Sequence, residues 1–232
     1  DAALKTANPN PEAFRDVRSL RFISDWQDSD AGLRITPYFR WTDMQFLQHF
    51  LPGQPLEENG HRSFGVQSLA QITDYLRIGI DLEHTRGFLK QTQAGDTQGS
   101  PFLVATLPQG KHYDYEVTAN VAAVFAQFDY PATDRLDLSF GLRGEQVRYD
   151  YDNRMIAGRT QDDGTPCGFG GCRYTRPGDR KDNFTNVSPK AGFSLAFGAQ
   201  ILFGQVSQGF RAPQATELYR LQNGQTLAEI DS

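Results

Sequence analysis

Residues Ser188–Pro213 read SPKAGFSLAFGAQILFGQVSQGFRAP, and the fold turns on what this stretch touches. Ala191, Phe193, Leu195 and Phe197 are apolar, while Lys190, Gly192, Ser194 and Ala196 between them are charged or small. A period of two is the signature of a β-strand with one apolar face. That face can lie on a protein core or on lipid.

Working outward, about eight segments alternate in the same way. Leu33, Ile35, Pro37, Phe39 and Trp41 are set against Arg34, Thr36, Tyr38 and Arg40. Leu76, Ile78, Ile80 and Leu82 are set against Arg77, Gly79, Asp81 and Glu83; Leu136, Leu138, Phe140 and Leu142 against Asp137, Ser139, Gly141 and Arg143. Val117, Ala119, Val121, Ala123 and Phe125 form a further apolar set, and 19–26 and 64–72 are weaker examples. In 201–211 the pattern assigns Leu202, Gly204 and Val206 outward, with Gln205, Ser207 and Arg211 inward.

The connections alternate too. Short ones at 27–32, 73–75, 129–134 and 198–200 are separated by long ones near 42–63, 87–113 and 152–183. Consecutive antiparallel strands place short turns at one end and long loops at the other, the asymmetry of outer-membrane barrels. Rings sit near both ends: Trp26, Phe125, Phe128, Tyr130 and Phe197 beside short turns, Phe39, Trp41, Phe64 and Tyr115 beside long loops. The pattern leaves two architectures open, a barrel facing lipid and a soluble β-sandwich whose inner faces supply the same alternation. On the barrel reading the other face carries charges of both signs, which need water or polar partners.

Composition narrows the classes. The 232 residues include 12% aromatics, 22 Gly and 17 Phe, which suits strands and turns. Mean hydropathy is −0.54, and no run reaches the roughly 18 apolar residues of a membrane helix. A net charge of −5 argues against a general nucleic-acid partner. The opening DAALKTANPNPEAF lacks the basic head and apolar core of a signal peptide. Cys167 and Cys172, in CGFGGC with no His nearby, do not complete a zinc shell; a loop disulfide in an oxidising compartment is expected.

The stretch Asn186–Gln222, NVSPKAGFSLAF…ILFGQVSQGFRAPQATELYRLQ, resembles the late-barrel segment of TonB-dependent outer-membrane receptors, where an SPK.G strand, a short turn and a GFRAP…EL strand follow in order. ITPYFRWTDMQFLQHFLPG (35–53), HYDYEV (112–117) and LSFGLRGEQVRYDYDN (138–153) resemble the same barrel. The resemblance implies an all-β, antiparallel transmembrane β-barrel of about 22 strands with a plugged lumen, of which this chain supplies about eight. It implies a receptor in the bacterial outer membrane for TonB-energised uptake, most often of a ferric siderophore or similar iron complex. Partners would be that complex, the TonB complex acting through a plug region, outer-membrane lipid and lipopolysaccharide; no cofactor is implied. No Ton box, plug or closing aromatic strand falls within the 232 residues, so 1–232 is expected to be a partial barrel domain, inactive alone. The alternatives are a small self-contained barrel with a structural or adhesive role and a soluble sandwich that binds a ligand.

Such transport makes no covalent bonds, and no catalytic set is expected. His49, His61, His84 and His112 lie in different segments outside nucleophile or zinc motifs, and parity points His84 outward. Binding residues are expected on the lumen side near the long loops. Parity offers Tyr38 and Arg40, Asp114 and Glu116, Tyr149 and Tyr151, Asn186 and Ser188, and Ser207 and Arg211. For an anionic or aromatic ligand the sensible contacts are Tyr38, Arg40, Tyr149, Tyr151 and Arg211, by charge-assisted hydrogen bonds and stacking. The basic cluster Arg154, Arg159, Arg173, Arg176, Arg180 and Lys181 could steer anions, bind phosphates or solvate its loop. Met44, Phe46, Leu47, Phe50 and Leu51 are expected in a wet loop, packed on neighbouring loops or on a ligand.

Overall fold

The computed structural model describes residues 11–222 and 224–229. Residues 1–10 and 230–232, on which the readings of signal peptide and chain end partly rest, lie outside the described residues. The strands are β1 (Arg15–Ile23), β2 (Trp26–Asp28), β3 (Leu33–Leu47), β4 (Leu56–Gln71), β5 (Leu76–Gln93), β6 (Gly110–Thr133), β7 (Leu136–Asn153), β8 (Tyr174–Thr175), β9 (Arg180–Phe197), β10 (Gln200–Ser207) and β11 (Leu221–Gln222). Two short helices, α1 (Pro101–Thr106) and α2 (Ala215–Tyr219), lie in connections. All strands but β8 and β11 form one nine-stranded antiparallel sheet, in which each long strand pairs with the next in sequence; β8 pairs with β11. β1 and β10 are the outer edges, so the sheet is a curved wall that does not close on itself.

The short turns are set locally. Asp28 Oδ1 accepts from the backbone N–H of Asp30 and Ala31, Thr73 Oγ1 from Tyr75 and Leu76, and Thr133 Oγ1 from Arg135 and Leu136. These side chains satisfy turn amides that the ladder cannot reach. At the β9–β10 turn Gly198 has φ 58°, a conformation that favours glycine.

The register fixes which residues share a face. Phe39, Phe64, His84, Asn120 and Arg148 form one outward row; Ile35, Ser68, Ile80, Val124, Gly144 and Val187 form another, lower down. The outward face divides sharply. Towards the short turns it is apolar and uncovered, with Ile80 51%, Val124 60%, Leu142 54% and Leu202 54% exposed. No second sheet lies over Ile78 or Leu138 among the described residues, which removes the sandwich. Towards the long loops it is charged, and Lys90–Glu58 (3.0 Å), Arg154–Glu116 (2.7 Å) and Lys181–Asp150 (3.1 Å) pair across neighbouring strands and loop ends.

The boundary between these zones runs obliquely across the ladder. On β3 the continuous apolar run of the outward face ends at Trp41, whose row meets β9 at Lys181; on β9 it ends at Val187, six residues (187 − 181) lower. At about 3.4 Å per residue and about 4.8 Å per strand over five spacings, that slope is a strand tilt of about 40°. Transmembrane barrels tilt their strands by about 35–45°. The apolar zone is therefore level when the strands are tilted as in a membrane. Tyr75, Phe128 and Tyr130 cluster at its short-turn edge, with ring centroids 5.6–6.5 Å apart.

The register corrects one assignment. Ala122, Val124, Ala126 and Phe128 face outward, and Val117, Ala119, Val121, Ala123 and Phe125 face the lumen; Asp114 and Glu116 are outward with the former set. In VAAVFAQF both parities are apolar, so alternation there carries no phase. Phase changes along the strand: in the band the apolar side meets lipid, and above it Tyr113, Tyr115 and Val117 turn inward onto loops. Tyr115 and Phe125 thus leave the outward aromatic groups.

The strands also run past the band, leaving connections of 48–55, 94–109 and 154–179. Met44, Phe46 and Leu47 consequently lie on β3 rather than in a wet loop, with Phe46 buried; Phe50 remains 65% exposed.

Candidate ligand-binding face of the lumen

The lumen face carries two polar and aromatic groups near the long-loop end. The first is built on β3 and β5. Tyr38 Oη donates to Glu83, and Arg40 Nη2 contacts both Glu83 carboxylate oxygens at 2.6 Å. Thr85 Oγ1 also donates to Glu83 Oε1 at 2.9 Å. The Arg40 guanidinium lies 5.1 Å from the Tyr38 ring centre. Tyr38 lies across Gly65 on β4, where an added Cβ would run into its ring, so glycine is what lets the phenol reach Glu83. Arg40 remains about 39% exposed.

Tyr149, Phe184 and Tyr219 form the second group, with Tyr151 beneath. Tyr149 and Phe184 are 5.9 Å apart edge to face, and Tyr151 stacks on Tyr219 at 4.3 Å. Tyr219 arrives on α2, whose first turn is closed by Glu217: its carboxylate accepts from Gln214 N–H at 2.7 Å. The strap after β10 is then tied down on both sides. Tyr219 Oη donates to Asp182 at 2.7 Å, and Arg220 pairs with the buried Glu57 at 2.8 Å. Tyr149 Oη donates to Pro213 O at 3.2 Å. Burial alone would raise the Asp182 carboxyl, but hydrogen bonds from Arg180 and Tyr219 outweigh it and hold it below the usual range.

Behind this strap lies the buried cluster of Leu89, Tyr113, Tyr115, Tyr151, Tyr174 and Cys172. His112 stacks on Tyr174 at 4.4 Å and bonds through Nε2 to Pro108 O at 2.8 Å. It lies at the loop end of β6, above the apolar band, and burial pushes its pKa down to about 4 despite the Pro108 carbonyl. Cys167 and Cys172 are joined in a disulfide that tightens the loop under α1, where Gly168 N–H donates to Ala105 O at 3.0 Å.

The sequence-derived site residues therefore fall into three situations. Tyr38 and Arg40 touch one another; Arg40 and Tyr149 share one inward row but stand four strand spacings apart, about 19 Å along the wall. Tyr151 points inward as parity required, yet it is 1% exposed beneath Tyr219. Arg211 lies beyond the end of β10 and pairs with Glu217 at 2.9 Å, both largely exposed. Sequence reading missed Tyr219 and Asp182 as partners of this group. Glu83 was legible as an inward charge, but not as the shared acceptor of Tyr38 and Arg40. The basic loop cluster is mostly committed: Arg176 is buried among the carbonyls of Ile156, His112 and Thr160, Arg180 bonds Asp182, and Arg154 and Lys181 pair outward. Among the described residues no group of His, Cys, Asp and Glu is placed to hold a metal ion.

The solved structure named "Copper transporter OprC" superposes with a TM-score of 0.56 at 14% identity, covering 89% of this chain and 32% of that one. The ferric-catecholate import receptor Fiu from E. coli K12, in an open form, gives a TM-score of 0.49 at 13% identity, covering 83% of this chain and 35% of that one. The chain thus spans about a third of the length of these structures, and the likeness to the first is one of fold. No curated protein matches significantly in sequence. The family described as "TonB dependent receptor-like, beta-barrel" matches residues 4–229. An oblique apolar band, a charged collar above it and a polar lumen face make a wall of an outer-membrane barrel, and this chain belongs to the TonB-dependent receptor β-barrel family.

Proposed function

We propose that the chain is part of a receptor that takes up a ferric siderophore or similar iron complex by TonB-energised transport, the plug and remaining strands belonging to the whole protein. The single observation that carries this reading is the aromatic layer of Tyr149 and Phe184 on the lumen wall, flanked by Arg211, with Arg40 and Tyr38 on the same wall. Rings and guanidinium groups suit a bulky anionic or aromatic chelate, which offers faces to stack on and oxygens to accept from cations. Tyr149, Arg211, Tyr38 and Arg40 are the contacts; Tyr151 is a supporting residue that holds the strap. The barrel and its TonB-dependent class fit transport without covalent chemistry, and neither group is arranged as a nucleophile with a base.

The test is binding and uptake by the full-length receptor with a ferric tris-catecholate, a ferric tris-hydroxamate and free copper(II). Uptake of one ferric chelate, weakened about tenfold or more by Tyr149→Ala or Arg211→Gln, supports the assignment. Uptake of copper(II) alone, or of a chelate indifferent to both substitutions, overturns it.

A further inference from the structure

Above the apolar band, the connection 48–55 meets the loop ends of β5 and β6, the 94–109 connection, β8 and β11 around a cavity of about 120 Å³. It shares no lining residue with Tyr38, Arg40, Tyr149 or Arg211. Its walls include Leu51, Pro55 and Leu107 and the stacked pair His112 and Tyr174, whose ring centroids are 4.4 Å apart. These walls are held by bonds made outside the cavity. His112 Nε2 is bonded to Pro108 O at 2.8 Å, Gln48 N–H donates to Pro55 O at 2.9 Å, and Tyr113 Oη donates to Leu221 O. Arg173 also lines the cavity, its guanidinium 5.6 Å from the Phe102 ring centre.

A relay of side chains orients the polar group in this lining. The buried Glu57 carboxylate, paired with Arg220 at 2.8 Å, can only accept, so Gln48 turns its Nε2 to it at 2.6 Å. Gln48 Oε1 is then left to accept, and Gln91 turns its own Nε2 to that oxygen. Gln91 Oε1 is therefore an acceptor that no donor reaches among the described residues, on a side chain that is 2% exposed and lines the cavity. A buried acceptor without a partner is unfavourable. An apolar cavity of about 150 Å³ holds one benzene molecule, so a volume of this order takes a single six-membered ring and excludes a ferric chelate. Ring-lined walls with one oriented acceptor match one kind of ligand: a single aromatic ring that carries a hydroxyl donor.

We propose that this cavity binds a monocyclic phenol. The ring packs against Leu51, Leu107 and the His112–Tyr174 pair, and its hydroxyl donates to Gln91 Oε1. A ring held there touches the 48–55 connection, β5, β6 and β8 at once, and so ties the loop layer to the strand ends. The site goes beyond the uptake reading and is independent of what the lumen carries.

The test uses the full-length receptor in lipid nanodiscs, with fluorine NMR as readout against empty nanodiscs. The probe is para-fluorophenol, and para-fluorotoluene is the isostere that lacks the donor. The wild type is expected to bind para-fluorophenol saturably and about fivefold tighter than para-fluorotoluene, the worth of one hydrogen bond. Gln91→Met keeps the volume, removes the acceptor and is expected to erase that preference. Leu107→Trp fills the cavity and is expected to weaken both probes about tenfold or more. Tyr149→Ala, on the lumen wall, is expected to bind both like the wild type. Only heat-modifiable, folded protein is compared, which separates lost binding from lost fold. No saturable binding, equal affinity for the two probes, a preference that survives Gln91→Met, or binding indifferent to Leu107→Trp would each overturn the assignment. Displacement of the probe by a ferric tris-catecholate, with binding lost in Tyr149→Ala, would place the ring in the lumen and overturn it as well. Chelate uptake is a separate readout, so its failure leaves the phenol result standing.

Discussion

Val124→Arg tests the facing of the whole sheet at its least legible strand. Val124 lies on the outward face of β6, 60% exposed, opposite Ile80 on β5 and Gly144 on β7. Its same-face neighbours along the strand are Ala122 and Ala126, so no carboxylate within the band is placed to pair with a new cation. The polar row of Asn120 is four residues away, about 14 Å along the strand and, at about 40° tilt, about 10 Å higher. A guanidinium at 124 therefore stays in hydrocarbon, and the expected cost is about 2–4 kcal/mol, as for cations near the bilayer midplane. Ser139→Arg is the comparison: Ser139 faces the lumen beside Gly192 and directly across from Asp129, which already pairs with Arg77, so a guanidinium there stands in a polar, watered setting rather than in hydrocarbon. Its cost should stay below about 1 kcal/mol. The assay is reversible urea unfolding of the full-length receptor in lipid vesicles. Equal costs, or a larger cost for Ser139→Arg, would refute the facing.

Three further outcomes follow from the loop side. His112 is buried with its pKa lowered to about 4 against 6.5 in the unfolded chain, so its contribution is fully present above about pH 6.5 and is lost as pH falls towards 4. The packing of 154–179 on β6 should weaken by about 3 kcal/mol over that window, read by hydrogen exchange, and His112→Phe should flatten the dependence. Gly65→Ala drives Tyr38 off Glu83 and should lower chelate affinity several-fold while Gly87→Ala, which meets only ordinary contacts, leaves it within about twofold. A non-reducing peptide map should recover 167 and 172 in one linked peptide; two alkylatable thiols would remove the disulfide.

Much of this protein was written in strands whose two faces differ. Leu76–Glu83, Leu136–Arg143 and Ala191–Phe197 each pair an apolar set with a small or charged one, and with alternating loop lengths they determined the antiparallel meander and the lipid side of most strands. They also put Tyr38, Arg40, Tyr149 and Tyr151 on the lumen wall, because parity alone decides a side. Tertiary structure decided the rest. In VAAVFAQF both faces are apolar, and only pairing with Leu82 and Gln146 settled that Ala122 and Val124 meet lipid. Strand length escaped the pattern too, since above the membrane the ladder continues while the apolar side changes from outward to inward. Tyr151 was placed on the correct face but is covered, and its cover is Tyr219, 68 residues on (219 − 151), brought there by a strap with no periodicity of its own. A side is a local property of alternation; a neighbour brought by a strap is a property of how distant chain folds back onto the wall.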